Sequence, residues 1–403
     1  MRTRTLALAG AVALTAGAAH AAMTDNVVKV GVLGDQSGLY ADVSGQGAVI
    51  AARIAAEEAG GKVKGVPIQI VSADHQNKAD IGSNVTRQWI DVDKVDVVVD
   101  VPNSGVALAV SEVIRDKNRV YLNSGAATSD LTGSKCSPNT IHWSYDTYAL
   151  ANGTGTALTK AGGDSWYFLT SDYAFGHALE RDTSNAVKKA GGKVLGGVRH
   201  PINTADFSSF LLSAQGSGAK VIGLANAGGD TINSIKQAAE FGITQGGQQL
   251  AALLLFISDV HALGLDTAQG LKFTTSYYWD LNDGTRAFAD KFAKAFNGKR
   301  PTMVQAGVYS SLVHYFKALE ALDSDADGKA VVAKMKEMPT DDPAFGKGTI
   351  RQDGRKLHDV YLMEVKKKSE SKGPWDYYKT VATIPAAEAW RPLDQGECPL
   401  VKK

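Results

Sequence analysis

Three clusters of small, hydroxylated and amide residues stand where apolar runs end: Gly34-Asp35-Gln36-Ser37-Gly38-Leu39-Tyr40, Pro102-Asn103-Ser104-Gly105, and Asn123-Ser124-Gly125-Ala126-Ala127-Thr128-Ser129. Such loops expose backbone N–H groups and hydroxyls where helices begin. Free N–H groups and the helix dipole together attract a carboxylate without a buried arginine. Each cluster alone needs no explanation beyond helix capping by Ser, Asn or Thr; three at neighbouring strand ends favour an anion site. A second set carries aromatics in its first and last members: Asp172-Tyr173-Ala174-Phe175-Gly176, Asn226-Ala227-Gly228-Gly229-Asp230 and Phe256-Ile257-Ser258-Asp259. Aromatics at strand ends suit an apolar cleft wall in which a few polar groups set orientation. Tyr40, Asn103, Tyr173, Asn226 and Phe256 are therefore candidate ligand contacts. Tyr277-Tyr278-Trp279 reads more simply as hinge packing.

Signatures of catalysis are missing. The sequence holds no G-x-x-x-x-G-K-[ST] phosphate loop, no G-x-S-x-G nucleophile elbow, no H-E-x-x-H and no G-x-G-x-x-G behind a strand. His177 lies three residues before Glu180, on one helix face, but a pair without a third ligand reads as a surface pair and not a metal site. No cofactor or metal is expected, and the chain is read as a binding protein and not an enzyme.

The elements that must position these loops alternate strand and helix. Apolar runs at 27–33, 66–73, 95–101 and 120–122 are interleaved with helical patterns at 47–59, 79–90 and 106–115. The rhythm restarts after Trp143, with helices expected at 148–160, 174–190, 207–214 and 231–241 and strands at 166–169, 193–198, 221–224 and 250–256. Such alternation implies parallel sheets covered on both faces, with strand ends and helix N-termini facing a crevice. From 281 the pattern turns helical, and 361–365 with 376–383 read as a hairpin. A chain of 403 residues exceeds what one core organises. The expected fold is α/β in two lobes, 22–144 with about 281–345, and 145–280 with about 346–403, joined by a hinge.

Residues 1–21 read as a secretory signal peptide. Arg2 and Arg4 precede an apolar stretch too short and too interrupted to span a bilayer, and Ala19-His20-Ala21 supplies a small-residue cleavage site. Loss of the two arginines takes the formal charge from +1 to −1. Charges are otherwise interspersed, and Lys366-Lys367-Lys368, beside Glu364 and Glu370, reads as a solvated hairpin tip; nucleic acid is not an expected partner. No later run suggests membrane insertion, and a monomer in the periplasm is expected. Cys136 and Cys398 form an even pair which, in an oxidising compartment, reads as a disulfide.

The combination of Val30-Gly31-Val32-Leu33-Gly34, Ser37-Gly38, Gln46-Gly47-Ala48, the run from Ser124 to Thr132 and the Asp172–Gly176 turn resembles the leucine/isoleucine/valine-binding type of periplasmic binding protein, across essentially the whole mature length. The resemblance implies a type I two-lobed fold that closes on a small carboxylate-bearing solute, an aromatic acid or branched-chain amino acid, and delivers it to the membrane permease of an ABC importer. It further implies that Ser104, Ala126 and Thr128 hold the ligand carboxylate by a hydroxyl and amides, while Phe175 covers it from the other lobe. The family's ammonium-binding glutamate has only Asp259 as a counterpart, which points away from amino acids and towards aromatic acids, amides or other small carboxylates. A sensing protein that reports to a separate receptor is the alternative from another class.

Overall fold

The computed structural model describes residues 23–322 and 324–402. The leader expected over 1–21 lies outside them.

The first unit runs β1 (Val28–Gly34), α1 (Gly45–Glu58), β2 (Lys62–Val63), β3 (Val66–Asp74), α2 (Ala79–Asp91), β4 (Val97–Asp100), α3 (Ser104–Asp116), β5 (Val120–Asn123) and β6 (Thr140–His142). These strands form one sheet in the order β2-β3-β1-β4-β5-β6, parallel except for β2. The valine run of β4 shows why the sheet is covered on both sides: Val97 and Val99 enter one apolar cluster, Val98 the other, and all three are fully buried. Burial of each valine contributes about 1.5–3 kcal/mol, which a sheet with one wet face would forgo for half of them.

The second unit begins with a continuous helix, α4 (Thr147–Leu150), a π-helical turn (Ala151–Gly155) and α5 (Thr156–Lys160). There follow β7 (Ser165–Ser171), α6 (Ala174–Lys189), β8 (Lys193–His200), α7 (Ser208–Gly216), β9 (Val221–Ala225), α8 (Gly229–Glu240), β10 (Gln249–Ala252), α9 (Ile257–Leu263) and α10 (Leu265–Ala268). Its sheet, β10-β9-β7-β8, is wholly parallel.

The chain then crosses repeatedly. β11 (Lys272–Thr275) pairs antiparallel with β15 (Val360–Val365), itself paired with β16 (Tyr378–Ile384), and Phe273 and Met363 join the core of the second unit. Between them lie α11 (Asp283–Ala295), α12 (Met303–Leu322) and α13 (Gly328–Glu337), of which α11 and α12 pack on α1 and α13 on β5 of the first unit. β12 (Thr340–Asp342), β13 (Gly346–Ile350) and β14 (Lys356–Leu357) make a small antiparallel sheet, and α14 (Ala386–Ala389) precedes the tail. Residues 346–357 continue from β12 through the β12–β13 and β13–β14 pairings, and Arg355 bridges to His142 at the end of β6. Cys136 and Cys398 are joined by a disulfide, Cα to Cα 5.6 Å, which ties the tail beside the loop before β6.

Candidate functional site

A narrow cavity of about 10 Å³, room for about one water, lies between the two sheets' C-terminal ends. The first unit lines it with Tyr40, Val43, Pro102, Gly125 and Ala127; the crossing segment adds Tyr145; the second unit adds Tyr173, Phe175, Ala227, Leu254 and Phe256. No Asp, Glu, Lys, Arg or His is among these residues. The aromatic rings lean on one another: Tyr173 and Phe175 centroids are 5.9 Å apart, and Tyr145 meets Phe256 edge-on at 6.2 Å. Across the gap between the units the hydroxyls of Tyr40 and Tyr173 are hydrogen-bonded at 2.5 Å. A solute larger than water enters only when these walls part.

Local chemistry explains the placement of each wall. Asp35 folds the first loop by accepting the N–H groups of Gly38 and Tyr40, both at 2.8 Å, which presents the Tyr40 ring to the cavity. Gly125 is required where it stands, since a Cβ there would come within 2.7 Å of both Asp100 Oδ1 and Pro102 Cα. Tyr145 donates its hydroxyl to the Gly125 carbonyl at 2.6 Å. Its own carbonyl accepts from Arg355 Nη1 at 3.1 Å, while Arg355 Nη2 donates to the Trp143 carbonyl. A fully buried guanidinium thus holds the crossing segment behind the cavity, and burial lowers it to about 10 despite Asp146 at 3.5 Å. Gly228, at φ +58°, begins α8 with its backbone against the Leu39 carbonyl of the other unit.

The candidate residues separate into two groups. Tyr40, Tyr173, Phe175 and Phe256 line the cavity. Asn103, Ser104, Ala126, Thr128, Asn226 and Asp259 do not line it, and each is engaged in holding the walls. Asn103 Oδ1 caps α3 by accepting from Gly105 and Val106 N–H. Ser104 Oγ accepts the Thr128 N–H at 3.2 Å, and Thr128 Oγ1 accepts the Asp130 N–H at 3.3 Å. Ala126 donates its N–H to Asn123 Oδ1 at 3.1 Å and returns its carbonyl to Asn123 Nδ2 and His142 Nε2, both at 2.8 Å. These bonds occupy the N–H and carbonyl of Ala126, whereas the Ser104 and Thr128 hydroxyls act in them as acceptors and keep their own protons for a further partner. The neighbouring Ala127 N–H has no acceptor among the described residues, and Ala127 does line the cavity. Asn226 lies in a network with Thr231, Ser234 and His200.

Asp259 accepts the Phe256 N–H at 2.9 Å, reaching back from the first turn of α9 to its N-cap. Burial pushes its carboxyl up to about 7. Asp230 accepts the N–H groups of Asn203 and Thr204, and burial raises it to about 6. The acids around the cavity thus lean towards their neutral forms, because desolvation outweighs the hydrogen bonds that favour charge. Among the described residues no cluster of His, Cys, Asp and Glu could hold a metal ion.

A family model described as periplasmic binding protein matches residues 27–372. The chain belongs to that family. Among solved structures, a periplasmic binding protein from Burkholderia mallei is 53% identical, with a TM-score of 0.91 over 94% of this chain and 100% of that one. A branched chain amino acid ABC transporter periplasmic ligand-binding protein from Burkholderia xenovorans LB400 is 39% identical, with a TM-score of 0.83 over 93% and 99%. An ABC transporter solute binding protein from R. palustris, solved in complex with 4-hydroxybenzoate, is 25% identical, with a TM-score of 0.81 over 89% and 97%. This periplasmic binding protein has the two-lobed type I fold of the leucine/isoleucine/valine-binding type, and its relatives bind solutes and do not transform them. Its cavity lies between the lobes at the sheet ends.

Sequence inspection missed Val43, Pro102, Gly125, Ala127, Tyr145, Ala227 and Leu254. Gly125, Ala127 and Ala227 stood inside loops already singled out, so the signal was there at one-residue resolution. Tyr145 and Leu254 carried none.

Proposed function

We propose that the chain is the exported, periplasmic solute-binding component of an ABC importer, and that its solute is a planar aromatic monocarboxylate held by closure of the two lobes. The observation that carries this reading is a cavity lined by five aromatic side chains and by no Asp, Glu, Lys, Arg or His, while the acid at the family's ammonium position, Asp259, is engaged with the Phe256 N–H. Burying an ammonium without a paired acid costs several kcal/mol, whereas a carboxylate can use the free Ala127 N–H. Aromatic contacts in offset or edge-on geometry add about 0.5–1.5 kcal/mol each beyond burial. The complex of the R. palustris relative with 4-hydroxybenzoate supports the same class. In this reading the solute docks on the first lobe, the second rotates over it, and a permease recognises the closed form; the solute shifts the open–closed balance by its differential affinity. No helix among the described residues is long and apolar enough to cross a membrane.

The test is calorimetric titration of benzoate, 4-hydroxybenzoate, leucine and valine into unfolded and refolded, ligand-free protein. Benzoates should bind more tightly than the amino acids. Micromolar leucine binding with no benzoate binding would assign the cavity to branched-chain amino acids, as the Burkholderia xenovorans relative's name suggests.

A further inference from the structure

Asp100 ends β4 directly behind the cavity wall and is fully buried. Its Oδ2 accepts the Ser44 hydroxyl at 2.5 Å, and its Oδ1, equally buried, has no partner. That free oxygen points at Gly125: a Cβ on Gly125 would lie 2.7 Å from it. Gly125 and Pro102, on either side of the approach, both line the cavity. The backbone is strained to achieve this, with φ +80° at Asp100 and +58° at Val101, a β-branched residue that avoids the left-handed region. The Leu33 carbonyl holds Val101 N–H at 3.0 Å, and Asp100's carbonyl accepts Gly125 N–H at 3.3 Å. Two adjacent outliers kept at a cavity floor point to a role beyond packing.

The groups facing Asp100 compensate a negative charge only in part, through the Ser44 hydroxyl. The first loop contributes Ser44, the Gln36 amide and Asp35; β5 contributes Tyr121 and the crossing segment Tyr145, whose phenols are both raised partly by Asp100. Asp35 is an acid and repels, and no Lys, Arg or His acts on the group.

We propose that Asp100 is a specificity-determining residue of the cavity: as an uncharged acid it lets a carboxylate lie against Gly125 and Ala127, and its ionisation excludes anionic solutes. This rests on the carboxylate reading above. Burial pushes the Asp100 carboxyl up to about 8. The neutral fraction then falls from about nine-tenths at pH 7 to about one-tenth at pH 9, so carboxylate affinity should fall roughly tenfold.

Benzoate, benzamide and leucine are titrated into wild type and D100N at pH 6.5 to 9 and constant ionic strength. The expected result is carboxylate binding that weakens about tenfold towards pH 9 in wild type, benzamide binding that does not follow it, and no such slope in D100N, which also controls for titration of leucine itself. Leucine binding without benzoate binding refutes the aromatic reading alone, since leucine's carboxylate still tests Asp100. A flat wild-type profile for whichever carboxylate binds overturns the proposal, as does a D100N profile that keeps the slope. The melting temperature gives a readout without ligand. The folded value lies above the unfolded one, so wild type should lose stability relative to D100N as pH rises from about 4 to about 8 and then level off. A constant difference across that range overturns the proposal.

Discussion

The Tyr40–Tyr173 bond is a direct side-chain contact between the two cavity walls, and its worth can be isolated. Its hydroxyls are 2.5 Å apart, Tyr40 is 4% exposed, and the partners come from opposite units, so opening the lobes breaks the bond. Y40F or Y173F leaves one buried phenol unsatisfied in the closed form only, at about 1–3 kcal/mol. Closure, and with it solute affinity, should weaken by about 5- to 150-fold in either single variant. In Y40F/Y173F neither hydroxyl is stranded, and the cost falls towards that of one net hydrogen bond, about 0.5–1.5 kcal/mol. The double variant should therefore bind no worse than the weaker single variant, a coupling of 1 kcal/mol or more. Calorimetric titration of the best-binding carboxylate reads the affinities, and small-angle scattering of ligand-free protein reads the shift towards an open form. Additive losses would show that each hydroxyl contacts the solute independently, and unchanged affinities in both single variants would show that the bond does not contribute to closure.

Three further outcomes follow from buried groups. Because the folded Asp259 carboxyl, near 7, sits above its unfolded value, wild type loses stability as pH rises from about 4 to 7; D259N should melt higher than wild type at pH 8, not at pH 4, and leave the ranking of leucine and benzoate unchanged. Loss of leucine binding in a folded D259N would restore Asp259 to the site. Lys356 is fully buried between the Trp143 and Phe345 rings with no hydrogen-bond partner on Nζ, and burial lowers it to about 8. Its folded value is below the unfolded one, so K356M should stabilise the chain most below pH 8, by an amount on the order of a few kcal/mol, and the gain should shrink towards pH 10.5 in thermal melts. The C136S/C398S variant opens a crosslink between residues 262 apart and should lose about 2–5 kcal/mol in denaturant titration; peptide mapping of non-reduced protein that finds two free thiols would remove the premise.

What was legible in the sequence was what neighbouring residues decide among themselves. The valine run of β4 and the helix after it obey periods a reader can count, and Asp259 stands in the first turn of α9, where an acid caps the helix, so both the sheet and the alternative role of that acid were readable. The strand-end loops were readable too, but not which of two adjacent alanines faces the cavity. That choice belongs to Asn123, whose side-chain amide takes both the N–H and the carbonyl of Ala126 and so turns Ala127 outward. Tyr145 lies further from reach, because Arg355 holds its carbonyl across 210 residues while the Arg355 backbone bridges to His142. No local pattern encodes such a contact. The same argument explains Asp100, whose sequence context is an ordinary strand end. Its position becomes informative only when Gly125, brought alongside by β4–β5 pairing, leaves one carboxyl oxygen buried against the cavity wall with nothing to accept from.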